Sequence, residues 1–139
     1  MKPVCYSTHL HYVFIHIPKC AGTSIHVALK TIHDRMSLPL DERKYHKHSK
    51  ASDVRKILGN EWNKSFKFSF VRNPWDLMVS SYHWWLKVAE QFPSLAEHAS
   101  KVKALPDFSA FVRSPYGSQM INEQPGRDML NWIDRKSVV

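Results

Sequence analysis

Residues 12–29, YVFIHIPKCAGTSIHVAL, show two different hydrophobic periods on either side of a short polar turn. The β-branched and aromatic residues at 11–17 predict a buried strand, which Pro18 ends. From Thr23 or Ser24 onward the apolar spacing is helical. The inward side of this helix is predicted to carry Ile25, Leu29, Ile32 and Met36. The stretch therefore predicts a strand, a loop and a helix, an order in which the helix N-terminus can bind an anion.

The loop itself, PKCAGTS, carries the groups that such an anion needs. Gly22 permits a tight turn and a close approach of the backbone to the anion. Thr23 and Ser24 offer hydroxyl and N–H donors at the positive end of the helix dipole. Lys19 adds a mobile positive charge. These residues make the loop a candidate anion site.

The loop differs from that of a nucleoside triphosphatase. A Walker A loop has the pattern G-x-x-x-x-G-K-[ST], whereas here the lysine precedes the turn and Thr23 stands where the Walker lysine would be. No acidic residue ends the strand to hold Mg²⁺. A site for a Mg²⁺-triphosphate is therefore disfavoured, and a phosphate or phosphosulfate site is not. An ordinary strand-to-helix turn with an exposed lysine is the alternative interpretation.

Residues 66–81, FKFSFVRNPWDLMVSS, repeat the same order of elements. Alternation in 66–71 predicts a second strand, and a helix is predicted from Asp76. Arg72 stands at the strand end, where a guanidinium can form a forked contact with a phosphate, and Ser80 or Ser81 can face the same anion. The inward side of the helix is predicted to carry Leu77, Val79, Tyr82, Trp85, Leu86 and Ala89. Two such regions predict a parallel α/β sheet with ligands at the carboxyl ends of its strands.

The remaining segments are less regular. Residues 37–52 predict a loop, and a short helix follows, which Ser52 is expected to cap and Gly59 to end. Its inward side is predicted to carry Val54, Ile57 and Leu58. Residues 92–112 predict a linker with one or two short helices, and 113–126 predict a loop.

Composition limits the classes of protein that this chain can be. With 139 residues and 43% hydrophobic content, the chain predicts a single domain, 1–139, with its own core. A formal charge of +8 favours an anionic partner. Cys5 and Cys20 do not indicate a disulfide-stabilised secreted fold. Neither a signal peptide nor a transmembrane run is visible, so the expectation is a cytoplasmic protein without an integral membrane segment.

Two stretches of the chain together resemble the two signatures of sulfotransferases that use 3′-phosphoadenosine 5′-phosphosulfate (PAPS). They are FIHIPKCAGTSI, at 14–25, and FKFSFVRNPWDLMVSSYHWW, at 66–85. The likeness is greatest to the carbohydrate branch, which includes the heparan sulfate 2-O enzymes and bacterial relatives. It runs from about residue 11 to residue 85. The resemblance implies a P-loop NTPase-like three-layer α/β fold with a central parallel sheet. It also implies a PAPS-dependent enzyme that transfers a sulfuryl group to a hydroxyl, with a carbohydrate as the expected acceptor.

The resemblance assigns roles to both signatures. The loop from Lys19 to Ser24, which includes Cys20 and Ala21, would bind the 5′-phosphosulfate, and Lys19 would stabilise the leaving group. Arg72 and Ser80 would bind the 3′-phosphate. No metal is required by this chemistry. Cys20 stands where many members of the family have threonine.

The stretch KYHKH supplies a candidate general base. An imidazole suits the removal of a hydroxyl proton near neutral pH. In the 2-O-sulfotransferases that this chain resembles, a Tyr-His-x-His stretch lies at this place and its second histidine is the base. The likeness therefore implies that His48 is the base and that His46 orients or contacts the acceptor. A solvated surface pair and a zinc-binding pair are the alternatives, and further metal ligands at suitable spacing are missing.

Some features of the chain leave other functions open. The family domain normally continues further, so the C-terminal part is expected to be missing, and an inactive fragment that still binds nucleotide is one alternative. A P-loop small-molecule kinase is a second, and a nucleic-acid-binding module, for which no recognised motif is present, is a third. Tyr116 and Gln119 are weaker candidates for lining the acceptor cleft.

Overall fold

The computed structural model describes residues 4–117. These residues divide into two compact units, 4–71 and 72–117. The first unit is mixed α/β, and the second is helical. The first contains β1 (Tyr6–Ser7), β2 (Tyr12–Ile15), α1 (Gly22–Arg35), α2 (Ala51–Leu58), α3 (Asn60–Lys64) and β3 (Phe66–Ser69). The second contains α4 (Pro74–Gln91), a 3₁₀ turn (Pro93–Leu95), α5 (Ala96–Lys103) and α6 (Phe108–Arg113).

The three strands of the first unit form one sheet in the order β1-β2-β3. β1 pairs with β2 antiparallel, and β2 pairs with β3 in parallel, with Tyr12 opposite Phe66 and Ile15 opposite Ser69. The predicted second strand and its parallel partner are thus present within residues 4–117, although β1 was not predicted. The described sheet is small and mixed, so the larger central parallel sheet of a three-layer fold stays a prediction.

The core of the first unit lies between β2 and α1. Tyr12 and Phe14 are two apart on the strand and therefore share a face, and they cluster with Val4 and Leu29. The prediction for the inward side of α1 was wrong for Ile32 and Met36, which are exposed. The buried side of α1 lies one residue further along the chain at two of its positions than predicted, and it carries His26, Leu29 and His33. The side chains that replace the predicted ones are imidazoles with hydrogen-bond partners in the core.

The prediction for α2 was correct only in part. α2 buries Val54 and Leu58 as expected, but Ile57 is exposed. Lys50 is the N-cap residue and no side chain caps the helix, so Ser52 does not have the predicted role. Gly59, with φ of 55°, ends α2 as predicted because glycine tolerates positive φ. α3, with its buried Trp62, follows directly and was not predicted.

The second unit is built on α4. This helix begins at Pro74 rather than at Asp76, because the side chain of Asn73 accepts a hydrogen bond from the Trp75 N–H at 2.9 Å and caps it. The core of the second unit is a cluster of Met78, Val102 and Phe111. Of the predicted inward residues, Leu77 is buried and Val79 is exposed. None of the helices that the structure describes is long and apolar enough to cross a membrane.

Candidate functional site

The turn between β2 and α1 is made by residues other than glycine. Lys19 and Ala21 have φ of 62° and 61°, in the left-handed region. For residues with a Cβ this conformation costs roughly 1–2 kcal/mol each. Gly22, to which the sequence assigned the tight turn, is instead the first residue of α1.

Gly22 is needed for a different reason. A Cβ at this position would lie 1.7 Å from Nε2 of His16, which is far inside any contact distance. His16 is itself buried and hydrogen-bonded, so its ring is not free to move away. Glycine therefore lets the first turn of α1 rest directly against the His16 ring.

The first turn of α1 presents backbone donors without acceptors. Ala21 is the N-cap residue and offers no side-chain hydrogen bond, and the turn contains no acidic residue. Within residues 4–117 no acceptor is found for the N–H groups of Gly22, Thr23 and Ser24. Thr23 and Ser24 are exposed. Their N–H groups and the helix dipole fit a bound anion such as a phosphate.

The other residues of the loop face in different directions. Cys20 is buried, and its N–H donates to the Ile17 carbonyl at 3.3 Å, so this residue serves the turn internally. Lys19 is half-buried and Ala21 is exposed. Both cysteines of the chain are buried free thiols, and burial raises the pKa of Cys5 to about 11.

Beside this loop, four imidazoles form a row from the core to the surface. The ring of His16 lies 4.9 Å from that of His26 and 4.3 Å from that of His48, measured between centroids. The His46 ring follows at 5.5 Å from His48. His26 and His16 are buried, His48 is half-buried and His46 is exposed. Within the described ranges no group of three or more His, Cys, Asp or Glu is arranged to hold a metal ion.

A single carbonyl assigns the tautomers of the two buried imidazoles. Nδ1 of His26 lies 2.9 Å from the carbonyl oxygen of Val4, which only accepts, so this nitrogen carries a proton. Nε2 of a neutral His26 is then an acceptor, and it lies 2.9 Å from Nδ1 of His16. His16 must therefore donate from Nδ1 and keep its Nε2 unprotonated.

His48, the predicted base, is oriented by the backbone of the anion-loop strand. Its Nδ1 donates to the His16 carbonyl at 3.2 Å, which leaves Nε2 as the basic nitrogen. Its backbone N–H donates to Nδ1 of His46 at 3.2 Å. The hydrogen bond between His48 and the His16 carbonyl spans 32 residues of sequence, and it holds the KYHKH segment against the strand that precedes the anion loop.

Burial lowers the pKa of three imidazoles of this row, those of His16, His26 and His48. It lowers the pKa of His16 to about 3, with smaller contributions from His48, His26, Lys47 and His46. Burial also lowers the pKa of His26 and, with help from Lys47, that of His48. The hydrogen bonds to the Val4 and His16 carbonyls oppose this shift in part. A neutral His48 is the form that can accept a proton.

The segment that carries His46 and His48 is anchored at several points. Tyr45 is buried, and its hydroxyl donates to the Cys5 carbonyl at 3.3 Å. Thr8 donates to the Asp41 carboxylate through its N–H at 2.9 Å and through its hydroxyl at 2.6 Å. Tyr45 thus has a structural role in the Tyr-His-x-His stretch, and the two histidines that follow it are the candidates for the chemistry.

The residues predicted from the second signature lie in the second unit. Arg72 is exposed and precedes the capped start of α4. Ser80 is half-buried, whereas the hydroxyl of buried Ser81 donates to the Leu77 carbonyl at 2.8 Å. Of the two serines, Ser80 is therefore the one whose hydroxyl is not committed to the helix backbone.

Of the two weaker acceptor candidates, the structure describes only Tyr116. Tyr116 is half-buried and packs on the Met78 cluster, with its ring centroid 5.6 Å from that of Trp85. Gln119 lies outside the described residues. Tyr116 thus has a packing role in the second unit, and both assignments stay predictions.

Sequence reasoning missed His16 and His26, although a signal for both was present. His16 has the same parity as Tyr12 and Phe14, so the alternation of β2 places all three side chains on one face. His26, Leu29 and His33 follow helical spacing as well as the apolar stripe does. Treating imidazoles as interior residues would have identified the pair.

Two comparisons with known proteins were negative and one was positive. The family model described as "Sulfotransferase family" matches residues 3–135 of the chain. No curated protein and no solved structure matches the chain.

Proposed function

Because the chain belongs to the sulfotransferase family, we propose that it transfers a sulfuryl group from PAPS to a hydroxyl of a carbohydrate acceptor. The observation that carries this proposal is found within the first unit. There, His16 contacts two features of the candidate site. One is the N-terminus of α1, whose first N–H donors have no acceptor within residues 4–117. The other is the imidazole of His48, whose proton is placed on Nδ1 by a hydrogen bond.

The anion loop supports a sulfate-bearing nucleotide as the cosubstrate. The N–H groups of Gly22, Thr23 and Ser24 can donate to a phosphate, and no carboxylate in the first turn opposes its charge. Lys19, just before the turn, can neutralise charge that develops on a leaving oxygen. Arg72 and Ser80 are the groups proposed for the 3′-phosphate. PAPS, when bound, supplies the sulfuryl group.

The chain's own contribution to the chemistry is positioning and one proton transfer. His48 holds its proton on Nδ1 through the His16 carbonyl and offers Nε2 to the acceptor hydroxyl. Since His48 is half-buried with a lowered pKa, it stays unprotonated and competent as a base at neutral pH. His46, which is exposed and contacts the backbone of His48, is placed to meet the acceptor.

The charge near His48 favours an acidic carbohydrate. Lys44 is exposed, and Lys47 and Lys50 are partly exposed on the same segment. The chain as a whole carries a formal +8. A polysaccharide with uronic acids would gain attraction from this segment, and its binding would weaken with added salt.

Nucleotide binding is the first test. Calorimetric titration with adenosine 3′,5′-bisphosphate should show binding that Arg72→Ala weakens by about tenfold or more, because a charge-assisted phosphate contact is lost. Arg113→Ala is the matched control, since Arg113 is an exposed arginine of the same unit that contacts Ser109. Binding of Mg²⁺-ATP in preference to the bisphosphate would favour a kinase. Bisphosphate binding without turnover on any uronic-acid polysaccharide would favour an inactive family member.

The base assignment is tested with His48→Asn. Asparagine can keep the donor to the His16 carbonyl but cannot accept the acceptor proton, so kcat should fall roughly 10²- to 10⁴-fold. The acid limb of kcat/KM in the unmodified protein should have its midpoint below about 6.5, the usual pKa of imidazole, because the pKa of His48 is lowered. Activity is thus retained above the lowered pKa and lost as pH falls through it. An acid limb that persists unchanged in His48→Asn would contradict the assignment.

A further inference from the structure

His16 contacts both the first turn of α1, which follows the anion loop, and the candidate base His48. Its ring faces Gly22 at the start of α1, and a Cβ there would lie 1.7 Å from its Nε2. Its carbonyl accepts the Nδ1 proton of His48 at 3.2 Å. Its ring also lies 4.3 Å from the His48 ring between centroids. A change in the orientation of His16 would therefore reach both partners.

The tautomer of His16 is constrained at both ring nitrogens. At Nδ1 it faces the acceptor Nε2 of His26, which is assigned by the Val4 carbonyl. Its Nε2 faces Gly22 at the N-terminus of α1, where the positive end of the helix dipole disfavours a further proton. Both constraints select the neutral form with its proton on Nδ1.

We propose that His16 is a positioning residue of the sulfotransfer site, held as its Nδ1–H tautomer by His26, and that it sets the first turn of α1 and the base His48 in register. The side chain of His26 acts through His16: its two ring nitrogens contact the Val4 carbonyl and Nδ1 of His16. This inference rests on the proposed function for its catalytic consequence, but the tautomer itself can be measured without any activity.

The surroundings of His16 favour an uncharged ring. The titratable and charged groups that face it are His26 from α1 and His46, Lys47 and His48 from the segment before α2. None of them is acidic, so none would stabilise a protonated His16. Burial is the largest cause of its lowered pKa, about 3. A positive charge on His16, next to the His48 ring, is thereby avoided at neutral pH.

The direct test is nitrogen NMR of the full chain with ¹⁵N-labelled histidine at neutral pH. The imidazole shifts should show a proton on Nδ1 and none on Nε2 for His16, His26 and His48. Assignment uses the single variants His16→Asn, His26→Gln and His48→Asn. A proton on Nε2 of His16, or a rapidly exchanging mixture of tautomers, would overturn the proposal whether or not the protein transfers sulfate.

The catalytic consequence is tested by a pair of substitutions at His26. The amide oxygen of His26→Gln can accept from Nδ1 of His16, whereas His26→Leu cannot. In His26→Leu, kcat should fall roughly ten- to hundredfold, because misplacement of a catalytic group acts on turnover. In His26→Gln most of kcat and the Nδ1–H signal of His16 should return. Equal losses in the two variants would overturn the positioning role.

His33→Leu is the matched control for loss of a buried imidazole. His33 lies on the same helix, is fully buried, and contacts the Tyr12 hydroxyl at 3.2 Å and the Pro39 carbonyl at 3.1 Å. It should lower the melting temperature without changing the His16 tautomer or kcat. A loss of kcat in His33→Leu as large as that in His26→Leu would mean that the effect is general destabilisation, and the proposal would fail. If His26→Leu does not fold, the tautomers of the unmodified protein still decide.

Discussion

The two strand-to-helix junctions of this chain begin their helices in opposite ways. At the start of α4, the side chain of Asn73 caps the Trp75 N–H and Pro74 occupies the first helical position. At the start of α1, the N-cap residue is Ala21, whose methyl group cannot form a hydrogen bond and whose φ is 61°. The first junction along the chain, between β2 and α1, is thus strained and uncapped. The second junction, between β3 and α4, is capped and has no residue in the left-handed region.

This difference indicates how each junction would hold an anion. A capped helix start has satisfied part of its own demand for acceptors, so the second junction offers chiefly side chains, Arg72 and Ser80. An uncapped start leaves backbone N–H groups for a ligand. Left-handed residues other than glycine persist where the surrounding structure holds them, and such strain is concentrated at binding sites. The first junction is therefore the stronger candidate for recognition through the backbone.

The largest effect on this comparison is expected from Lys19→Ala. If Lys19 stabilises the leaving group, kcat should fall about 100-fold, since the lost interaction is made mainly in the transition state. Affinity for adenosine 3′,5′-bisphosphate should change by less than about fivefold, because a partly exposed point charge contributes about 1 kcal/mol or less. Lys56→Ala, at an exposed position on α2, is the control. Steady-state kinetics with calorimetry would refute the leaving-group role if affinity fell and kcat did not.

The next effect is expected from Gly22→Ala, which tests the packing of the first junction. The added methyl would meet the His16 ring, so the free energy of unfolding should fall by about 1–3 kcal/mol, as overpacked cores do. A double-mutant cycle with His16→Ala should show strong coupling in denaturant unfolding, because removing the ring removes the clash. Additive effects would show that the glycine is needed for something other than the His16 ring.

The contrast between the junctions also explains what the sequence could predict. β2, β3 and the helices after them follow from local hydrophobic periods, and these predictions were confirmed in outline. The Asn73–Pro74 start of α4 has a local signal, an N-cap residue followed by proline, which the prediction of a start at Asp76 does not use. The role of Gly22 had no local signal, because the atom that excludes a side chain there belongs to His16 in the preceding strand.

The candidate site divides in the same way. The candidate donors of the loop at residues 18–24 are suggested by residue type and order alone, and their binding of an anion stays a prediction. The buried His26–His16 pair follows the strand and helix periods, but this signal is lost when imidazoles are counted as polar residues. The hydrogen bonds that make these imidazoles interior residues, such as that to the Val4 carbonyl, are contacts between distant parts of the chain. The orientation of His48 likewise depends on a carbonyl 32 residues away.

A smaller effect is expected at the second junction from Asn73→Ala. Loss of an N-cap side chain costs about 1 kcal/mol, so denaturant unfolding or hydrogen exchange of the first turn of α4 should report a loss of that size. Asn73→Gly is the matched control, and it should cost only about a few tenths of a kcal/mol. Equal stability of Asn73→Ala and the unmodified protein would mean that the cap contributes nothing.

The smallest effect, and the most diagnostic in sign, is expected from Ala21→Gly. Glycine relieves about 1–2 kcal/mol of left-handed strain but adds about 0.4–1 kcal/mol of unfolded-state entropy, so the net change is a gain of roughly 0.5–1 kcal/mol. Glycine at the N-cap should therefore stabilise α1 and slightly destabilise α4, as measured by denaturant unfolding of Ala21→Gly and Asn73→Gly. A loss of stability in Ala21→Gly would show that the first junction stores no strain. The distinction between a strained, ligand-ready helix start and a relaxed, self-capped one would then fail.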